Sequence, residues 1–318
     1  MSDALTCSWC SRPIEGRYLT WADGRACCAD CQRTIAPCAA CRRPAVDPVD
    51  AKGHTLCRTC FAKVGACAGC EAPLLTKRFV HPALPEVSFC PDCMKTLTVC
   101  DFCSAPIVAG GHRHADGRDA CATCHRTAVL ELGELHALEV EARAWLSDRL
   151  RFVLRDRDVC PVHLVDAVQI AAVQGKAFAA TPGFDGRERG LFAARSTVER
   201  TGGKITRQTD ELAIYVEAGL PRAEAFGTVV HELIHLWQFD HFPKKPIHRQ
   251  YLEGLAVWGQ AHALAERGHP AEAARARENP HPAYGGGYKI VADIERNVGF
   301  DATPEKLVLR TGGQWRRT

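Results

Sequence analysis

The stretch "VVHELIHLWQFDHF", residues 229–242, carries two histidines four positions apart with a glutamate beside the first. Residues four apart on a helix stand one turn above the other on the same face, so His231 and His235 can bind one metal ion. Glu232 lies beside them, within reach of a water molecule at that metal. The stretch therefore predicts a metal-binding helix over about residues 223–239.

A metal held by two histidines needs a third protein ligand, and two residues compete for that place. His241 has the spacing of a third histidine in metzincin peptidases, but Gln238 stands where that motif needs a turning glycine, and no methionine follows. Glu253 lies 18 residues after His235 on a second amphipathic helix, "RQYLEGLAVWGQAHALAE" (249–266). Two antiparallel helices can bring this carboxylate opposite the histidines, which makes Glu253 the predicted third ligand.

Metal-binding histidines are usually oriented by a hydrogen-bonding partner behind them. Gluzincin peptidases often place an aspartate four residues after the glutamate ligand, and here Val257 occupies that position. Asp240, Asp210 and Glu217 are the candidates to replace it.

Two other elements flank the metal-binding helix. Apolar residues alternate over 211–217, which predicts a strand with one buried face that ends at Gly219. This strand is a candidate for binding an extended substrate as an added strand. From residue 128 to 154, apolar residues recur close to the helical period, which predicts a long helix packed on the domain that follows.

Sixteen of the 18 cysteines form CxxC pairs in the first 126 residues. The pairs make four units whose starts are 31, 29 and 33 residues apart, so they are an internal repeat. A unit of about thirty residues cannot bury enough apolar surface to fold alone, and a zinc ion held by four thiolates replaces the core. The predicted structural zinc ligands, unit by unit, are Cys7, Cys10, Cys28 and Cys31; Cys38, Cys41, Cys57 and Cys60; Cys67, Cys70, Cys90 and Cys93; and Cys100, Cys103, Cys121 and Cys124.

This sequential pairing leaves two cysteines without a partner. Cys27 and Cys160 are interpreted as spare thiols, with Cys27 as an alternative to its neighbour Cys28. A cross-braced pairing between units would leave the outer pairs unmatched, and disulfides are disfavoured in a reducing compartment.

The net charge of the cysteine-rich region and the composition of the N-terminus indicate which partners and which compartment to expect. Residues 1–125 hold 14 Lys or Arg and 12 Asp or Glu, a formal charge of +2. Four zinc–thiolate sites, at −2 each, bring this region to about −6. Phosphate binding needs a basic surface, so proteins are the expected partners and nucleic acid is not. The N-terminus lacks a signal peptide and no apolar run spans a bilayer, which predicts a cytoplasmic protein with no membrane partner.

The composition changes where the cysteine pairs end. The expected fold is α+β with two domains. Residues 1–126 form an array of four small, treble-clef-like four-cysteine zinc fingers, and residues 127–318 form a mainly helical, zincin-like metallopeptidase domain with a small β-sheet.

The second domain resembles the LIM-domain, ubiquitin-activated metallopeptidases of the plant organ-size regulator (DA-one) type. The likeness lies in "ERGLFAARSTV" (188–198), "ELAIYVEAGLPRAEAFGTVVHELIHLW" (211–237), "LEGLAVW" (252–258) and "PAYGGGYK" (282–289). It implies a gluzincin site in which His231, His235 and Glu253 hold zinc and Glu232 is the catalytic base. It also implies a LIM-like cysteine region and ubiquitin or ubiquitin-like partners. The units depart from LIM domains in their six-residue linkers and in using cysteine throughout.

The expected activity is that of a zinc endopeptidase acting on protein substrates. Zinc activates a water and polarises the scissile carbonyl, while Glu232 accepts the water's proton. Tyr284 is the first candidate for a second oxyanion donor, with Tyr288 and His262 as alternatives. The expected cofactors are one catalytic and four structural zinc ions, the array recruiting partners or controlling access to the cleft.

Two other classes of function fit the same sequence. The chain is alternatively a zinc-finger adaptor or scaffold whose second domain is an inactive, protease-like one, or an interaction protein of the ubiquitin pathway. A scaffold of this kind would hold one zinc ion fewer than the peptidase.

Overall fold

The computed structural model describes residues 5–21, 24–45, 47–177, 189–202, 204–242 and 246–313, excluding the side chains of 204 and 205. The chain divides into two compact units, Met1–Leu97 and Thr98–Thr318. The predicted mixture of helices and small sheets is confirmed, as are the four groups of four cysteines. Residue 188 of the first family-like motif and Pro243, the predicted stop of the metal-binding helix, lie outside the described residues.

The first compact unit contains three cysteine units of one design. Each is a two-stranded antiparallel hairpin followed by a short helix that begins at the second CxxC pair. In chain order the elements are β1 (Tyr18–Thr20), β2 (Ala26–Cys28), α1 (Ala29–Thr34), β3 (Val49–Ala51), β4 (His54–Leu56), α2 (Arg58–Phe61), β5 (Phe79–His81), β6 (Leu84–Phe89) and α3 (Pro91–Thr96).

Each first CxxC pair forms the same tight turn in all four units. The residue after the pair has a left-handed backbone and donates its N–H to the carbonyl of the first cysteine. The four residues, with their φ angles, are Ser11 (57°), Arg42 (62°), Glu71 (63°) and Ser104 (60°). This turn folds the two thiols of a pair towards one point, as a shared metal ion requires. The repeated spacing in the sequence therefore corresponds to a repeated backbone geometry.

The second compact unit contains the fourth cysteine unit together with the predicted catalytic region. Its elements are β7 (His112–Arg113), β8 (Asp119–Ala120), α4 (Ala122–Arg126), α5 (Leu132–Leu150), β9 (Val162–Val165), α6 (Ala167–Val173), β10 (Gly190–Thr201), β11 (Lys204–Glu217), α7 (Arg222–His241), α8 (Arg249–Glu266), α9 (Pro270–Arg277), a π-helical turn (Pro282–Gly286), α10 (Gly287–Val298) and α11 (Thr303–Arg310).

The sheet beside the metal-binding helix has the strand order β10–β11–β9. β11 pairs antiparallel with β10 along its length, and its residues 214–217 also pair in parallel with β9. The predicted strand 211–217 is therefore the end of β11, and because its residues 214–217 are paired on both sides, that part cannot take a substrate as an added strand. Among the described residues the edge strands of this sheet are β10 and β9, which the local pattern alone could not indicate, and β10 is the edge strand that packs on α7.

Helices α5, α7, α8 and α10 pack together to form the main core. α5 lies against α7, as predicted for the long helix, but it is shorter than the predicted 128–154. It ends at Leu150 because Arg151 adopts a left-handed conformation (φ 57°). Within the described residues, no helix has both the length and the apolar character needed to cross a bilayer.

The fourth cysteine unit is joined to β11 and α7 by buried contacts. Arg118 forms ion pairs with Asp116 and Glu217, and Arg118 and Glu217 are 2% and 0% exposed. Arg118 also donates to the carbonyl of Ala218 at 2.8 Å. These contacts explain why the compact unit begins at Thr98, so the predicted boundary between residues 126 and 127 does not coincide with the division of the structure.

The Arg118–Glu217 pair gives a test of this junction. We expect Glu217→Gln to lower the free energy of unfolding by about 3–5 kcal/mol, because it leaves part of a buried guanidinium charge uncompensated. Urea unfolding of the zinc-loaded chain, followed by tryptophan fluorescence, measures the loss. Glu199→Gln, which removes an exposed carboxylate paired with Arg207 at 4.0 Å, should change stability by less than about 1 kcal/mol. Equal losses in the two variants would contradict a buried junction.

Candidate metal and catalytic site

The two histidines of α7 and the glutamate of α8 meet at one point. Nε2 of His231 lies 3.1 Å from Nε2 of His235 and 3.2 Å from Oε2 of Glu253. Nε2 of His235 lies 3.4 Å from the same carboxylate oxygen. All three side chains are at most 17% exposed. The structure thus brings the three predicted ligands together.

These three atoms fit a zinc ion. Zinc binds imidazole nitrogen and carboxylate oxygen at about 2.0–2.1 Å, so neighbouring corners of a zinc tetrahedron are about 3.3–3.4 Å apart. The observed separations of 3.1, 3.2 and 3.4 Å correspond to one face of such a tetrahedron. Two imidazoles and one carboxylate leave the fourth corner to a ligand that the protein does not supply, which is typical of catalytic rather than structural zinc sites.

The electrostatics of the site also suit a cation. Burial opposes the charged form of Glu253, but hydrogen bonds with His231 and His235 outweigh it and lower the pKa of Glu253 well below its usual range. The carboxylate is therefore ionised at neutral pH. Its other oxygen, Oε1, accepts a hydrogen bond from Nε of Arg249 at 3.1 Å. Arg249 thereby fixes which oxygen of Glu253 faces the histidines.

Two glutamines orient the histidine ligands. Nδ1 of His231 donates to Oε1 of Gln260 at 3.2 Å, and Nδ1 of His235 donates to Oε1 of Gln238 at 2.8 Å. Gln238 is itself held by its amide, which donates to the carbonyl of Leu252 at 2.8 Å. These bonds leave Nε2 of each ring free for metal, which is the role of an outer-sphere partner.

Sequence reasoning missed both glutamines, although their spacing carries a signal. Gln238 is three residues after His235 on α7, and Gln260 is seven residues after Glu253 on α8. Both separations place the pair on one helix face. An amide oxygen accepts the same hydrogen bond as a carboxylate, so these glutamines take the role predicted for an acidic residue.

The carboxylates predicted for this orienting role lie elsewhere. Asp240 pairs with Arg155, Asp210 accepts from Ser196 at 2.7 Å, and Glu217 pairs with Arg118. That part of the prediction is wrong because each of these side chains has a partner outside the site.

His241 takes no part in the site. α7 continues without a break to His241, whose ring stacks on Trp237 and whose Nδ1 donates to the carbonyl of Trp237 at 2.9 Å. The six-residue interval from His235 turns the side chain to another face of the helix, as expected when no glycine bends the chain.

Glu232 is buried at the base of the cleft, 6% exposed, beside the first strand residue of β10. Burial raises the pKa of Glu232, opposed by its attraction to His231 and His235 and by a hydrogen bond from the backbone of Phe192. A carboxylate with a raised pKa accepts a proton near neutral pH more readily than an exposed one. The position suits a general base.

Gly190 makes room for this glutamate. A Cβ at residue 190 would lie 2.6 Å from Oε1 of Glu232 and 2.5 Å from Cγ2 of Thr228, both too close. We expect Gly190→Ala to displace the Glu232 carboxylate and to lower any hydrolytic kcat/KM on the order of 100-fold, since small misplacements have effects of that size. Steady-state kinetics measures this. Gly133→Ala, where a Cβ meets nothing within 4 Å, is the matched control and should retain full activity.

Tyr284 lies over the metal ligands on the π-helical turn. Its ring is 6.0 Å from that of His231, and its hydroxyl accepts a hydrogen bond from a terminal nitrogen of Arg249 at 3.2 Å. The alternative donor His262 is bonded to Glu295 at 3.2 Å. Neither His262 nor Tyr288 is among the described residues that line the cavities beside the histidines. Of the three candidate donors, Tyr284 is therefore the one that lines both cavities, and Arg249 donates to its hydroxyl.

The glycines of the quoted motifs bring this turn close to α8. A Cβ at Gly254 would lie 2.5 Å from the carbonyl oxygen of Gly287, and a Cβ at Gly287 would lie 2.4 Å from that of Gln250. The two backbones are therefore in direct contact, which only glycine permits. This close packing holds Tyr284 above the histidines.

Two cavities, of about 370 Å³ and 520 Å³, adjoin His231, and the larger one also reaches His235. Both are lined by Gly190, His231, Glu232 and Tyr284. The smaller one is also lined by Phe102 and Ser104 of the fourth cysteine unit. Cysteine-rich sequence therefore forms part of the cleft wall.

All four cysteine groups gather their sulfurs within 4.8 Å, and in three of them a sulfur–sulfur distance matches that of a zinc site. With zinc–sulfur bonds of about 2.3 Å, sulfurs at the corners of a tetrahedron are about 3.8 Å apart. The Sγ separations are 3.9 Å for Cys10–Cys28, 3.8 Å for Cys70–Cys90 and 3.8 Å for Cys103–Cys121. Sequential pairing within each unit is thus the observed arrangement.

The remaining cysteines behave as thiols. Cys28 rather than Cys27 belongs to the first group. Burial raises the pKa of Cys27 to about 11 and that of Cys160 to about 11, so both stay protonated at neutral pH. Within the first group, by contrast, a hydrogen bond from the backbone of Cys28 lowers the pKa of Cys7 to about 5, opposed by burial.

No family model matches the chain, and a search of the curated proteins finds no match.

Proposed function

We propose that the protein is a zinc-dependent endopeptidase that cleaves protein substrates. The observation that carries the proposal is the meeting of His231, His235 and Glu253 at tetrahedral spacing, with a buried glutamate, Glu232, beside them in an open cleft. Structural zinc sites use four protein ligands, and this one offers three.

A zinc ion held by His231, His235 and Glu253 would supply Lewis-acid activation of a water molecule and of the scissile carbonyl. Glu232 accepts a proton from the attacking water and passes it to the leaving amine, so that one peptide bond and one water give a carboxylic acid and an amine. The raised pKa of Glu232 suits both halves of this transfer.

The negative charge that develops on the carbonyl oxygen needs donors that are already in place. The hydroxyl of Tyr284 and the guanidinium of Arg249 lie next to the ligands and contact each other. Arg249 also holds Glu253, so it links the ligand to the oxyanion donor.

The substrate backbone has a natural partner in β10. This strand is at the edge of the sheet, and its residues Gly190, Leu191 and Phe192 line the larger cavity next to His231 and Glu232. An extended peptide added to this edge would place its backbone across the site and contribute main-chain hydrogen bonds that depend little on sequence.

The cysteine units outside the catalytic unit are proposed to recruit protein partners, ubiquitin or ubiquitin-like proteins among them. Support comes from the negative charge of the zinc-loaded array, about −6, which disfavours phosphate backbones. Exposed aromatic side chains such as Trp9 and Tyr18 offer contact area for a protein.

The proposal is tested by combining metal content with cleavage. We expect His235→Ala to bind one zinc ion fewer than the wild type, by mass spectrometry of the metal, and to leave a mixed peptide library uncut, because two ligands hold zinc poorly. His241→Ala, a histidine of the same helix outside the site, should keep the wild-type zinc content and cleavage. A scaffold would show no cleavage in any of the three proteins.

A further inference from the structure

Three histidines of the fourth cysteine unit form a group that the proposed hydrolysis does not use. His112 lies on β7, His114 follows two residues later, and His125 lies on α4 directly after Cys124. Residues two apart along an extended chain point to the same side, and the hairpin lies against α4. The fold thus gathers the three imidazoles, which we call the histidine group.

The rings of the histidine group are in contact. The centroids of His112 and His125 are 3.8 Å apart and those of His112 and His114 are 5.0 Å apart. One nitrogen from each ring can be chosen so that all three lie within 4.8 Å of one another. Imidazoles seldom gather in this way for packing alone, because each carries nitrogens that need partners.

Two of those nitrogens are buried without a partner. Nε2 of His114 and Nδ1 of His125 are shielded from solvent and make no hydrogen bond within the described part of the chain. Buried polar atoms are nearly always satisfied, so two unsatisfied nitrogens on neighbouring rings of one group point to a ligand. A cation accepts the lone pair of a neutral imidazole and would satisfy them.

The charged groups around the histidine group do not oppose a cation. Arg118 adds little net repulsion to a cation, because Asp116 and Glu217 pair with it.

We propose that His112, His114 and His125 bind a divalent transition-metal ion at a site separate from the four cysteine groups and from the catalytic centre. Imidazole nitrogen suits Zn²⁺, Cu²⁺ and Ni²⁺ and disfavours Mg²⁺ and Ca²⁺. The ligand nitrogens must draw closer, to the roughly 3.3 Å spacing of a zinc site, and the exposed ring of His112 must rotate off His125 to direct its lone pair at the ion.

The position of the group indicates what the metal does. The ring of His114 packs on Gly219, whose Cβ, if it had one, would lie 2.7 Å from Cε1 of His114. Gly219 is in the turn between β11 and α7, and its positive φ of 86° makes that turn. An ion bound here cross-links the hairpin and α4 next to the turn that leads into α7.

The test is a zinc count on the tag-free full chain, loaded with Zn²⁺ and then freed of loose ion by gel filtration. The double variant His112→Ala/His125→Ala should hold one zinc ion fewer than the wild type, while the peptide cleavage assay remains a separate readout. His54→Ala/His163→Ala, which removes two histidines outside the group, should equal the wild type. Adding Zn²⁺ to metal-depleted wild type should also raise its thermal midpoint more than that of the variant.

Equal zinc content in the wild type and the double variant would overturn the proposal. Removal of the additional zinc ion from the wild type by gel filtration would also overturn it, because that result means an adventitious ion only. His112→Gln/His125→Gln provides a second variant of similar volume, so that misfolding of the alanine form does not decide the result. Metal binding by the histidine group and peptide cleavage are measured separately. A protein that keeps this ion but does not cleave, or that cleaves without this ion, shows that the two proposals stand or fall independently.

Discussion

Glu232→Gln is expected to retain every zinc ion and to lose about 10²–10⁴-fold in kcat/KM towards a cleaved peptide, the range typical of removing a general base. The amide has the shape of the carboxylate but cannot accept the proton of the attacking water. The three atoms whose separations fit a zinc ion belong to His231, His235 and Glu253. Glu232 supplies none of them, so the zinc content should not change. Kinetics and metal analysis on the same sample measure the two effects together.

The control for this variant is Glu211→Gln, which removes the same charge from an exposed position on β11. It should cleave at the wild-type rate. Comparable cleavage by the wild type and Glu232→Gln would remove the glutamate from the mechanism. Loss of a zinc ion in Glu232→Gln would instead make it a ligand and would contradict the assignment of Glu253 as the third one.

Cys103→Ser is the second change with a large expected effect, because the fourth cysteine unit forms part of the cleft. The turn Cys100–Cys103 carries Asp101, whose carbonyl accepts a hydrogen bond from Arg189 at 3.0 Å. Arg189 also pairs with Glu224 on the first turn of α7 and directly precedes Gly190, which packs on Glu232.

Loss of zinc from this unit should therefore disturb catalysis. Structural zinc provides much of the folding free energy of such units, about 10–16 kcal/mol of binding in small zinc fingers. Without zinc, the Cys100–Cys103 turn should lose its conformation. Phe102 lies in this turn, and Arg189 is hydrogen-bonded to it. We expect Cys103→Ser to bind one zinc ion fewer and to lose on the order of 100-fold or more in kcat/KM. Displacing residues that line an active site typically has an effect of this size.

Cys41→Ser makes the same chemical change in the second cysteine unit, which belongs to the other compact unit. It should also bind one zinc ion fewer, yet cleave a short peptide at the wild-type rate. Equal loss of activity in the two variants, or none in either, would show that the fourth unit has no special part in the cleft. Circular dichroism of both proteins distinguishes a local change from general misfolding.

Much of the candidate site was predictable because its geometry is local. The pairing of cysteines within units follows from CxxC turns that repeat about every thirty residues, and His231 and His235 share a helix face at a spacing of four. Even the second helix was predicted with the bounds observed for α8, residues 249–266. Only the choice of Glu253 needed an assumption about how two helices pack.

The errors concern contacts between residues far apart in sequence. The pattern of 211–217 predicted a strand but could not say which edge of the sheet is free, because that depends on β9 and β10. The prediction of the orienting carboxylates was wrong because these side chains form ion pairs with arginines more than 80 residues away in the sequence. Asp240 pairs with Arg155, and Glu217 pairs with Arg118.

By itself, the sequence determined the kinds of ligands and their grouping: four sets of four thiols, and an imidazole pair with a glutamate beside it. Helix periodicity and chelate spacing set these over a few residues, so they can be read without a fold. Tertiary structure alone decided that the fourth cysteine unit joins the proposed catalytic unit, that β10 rather than β11 is an edge strand beside the site, and that Gln260 of α8 orients a histidine of α7. Those outcomes depend on burial and on pairing across the fold, which no local pattern encodes.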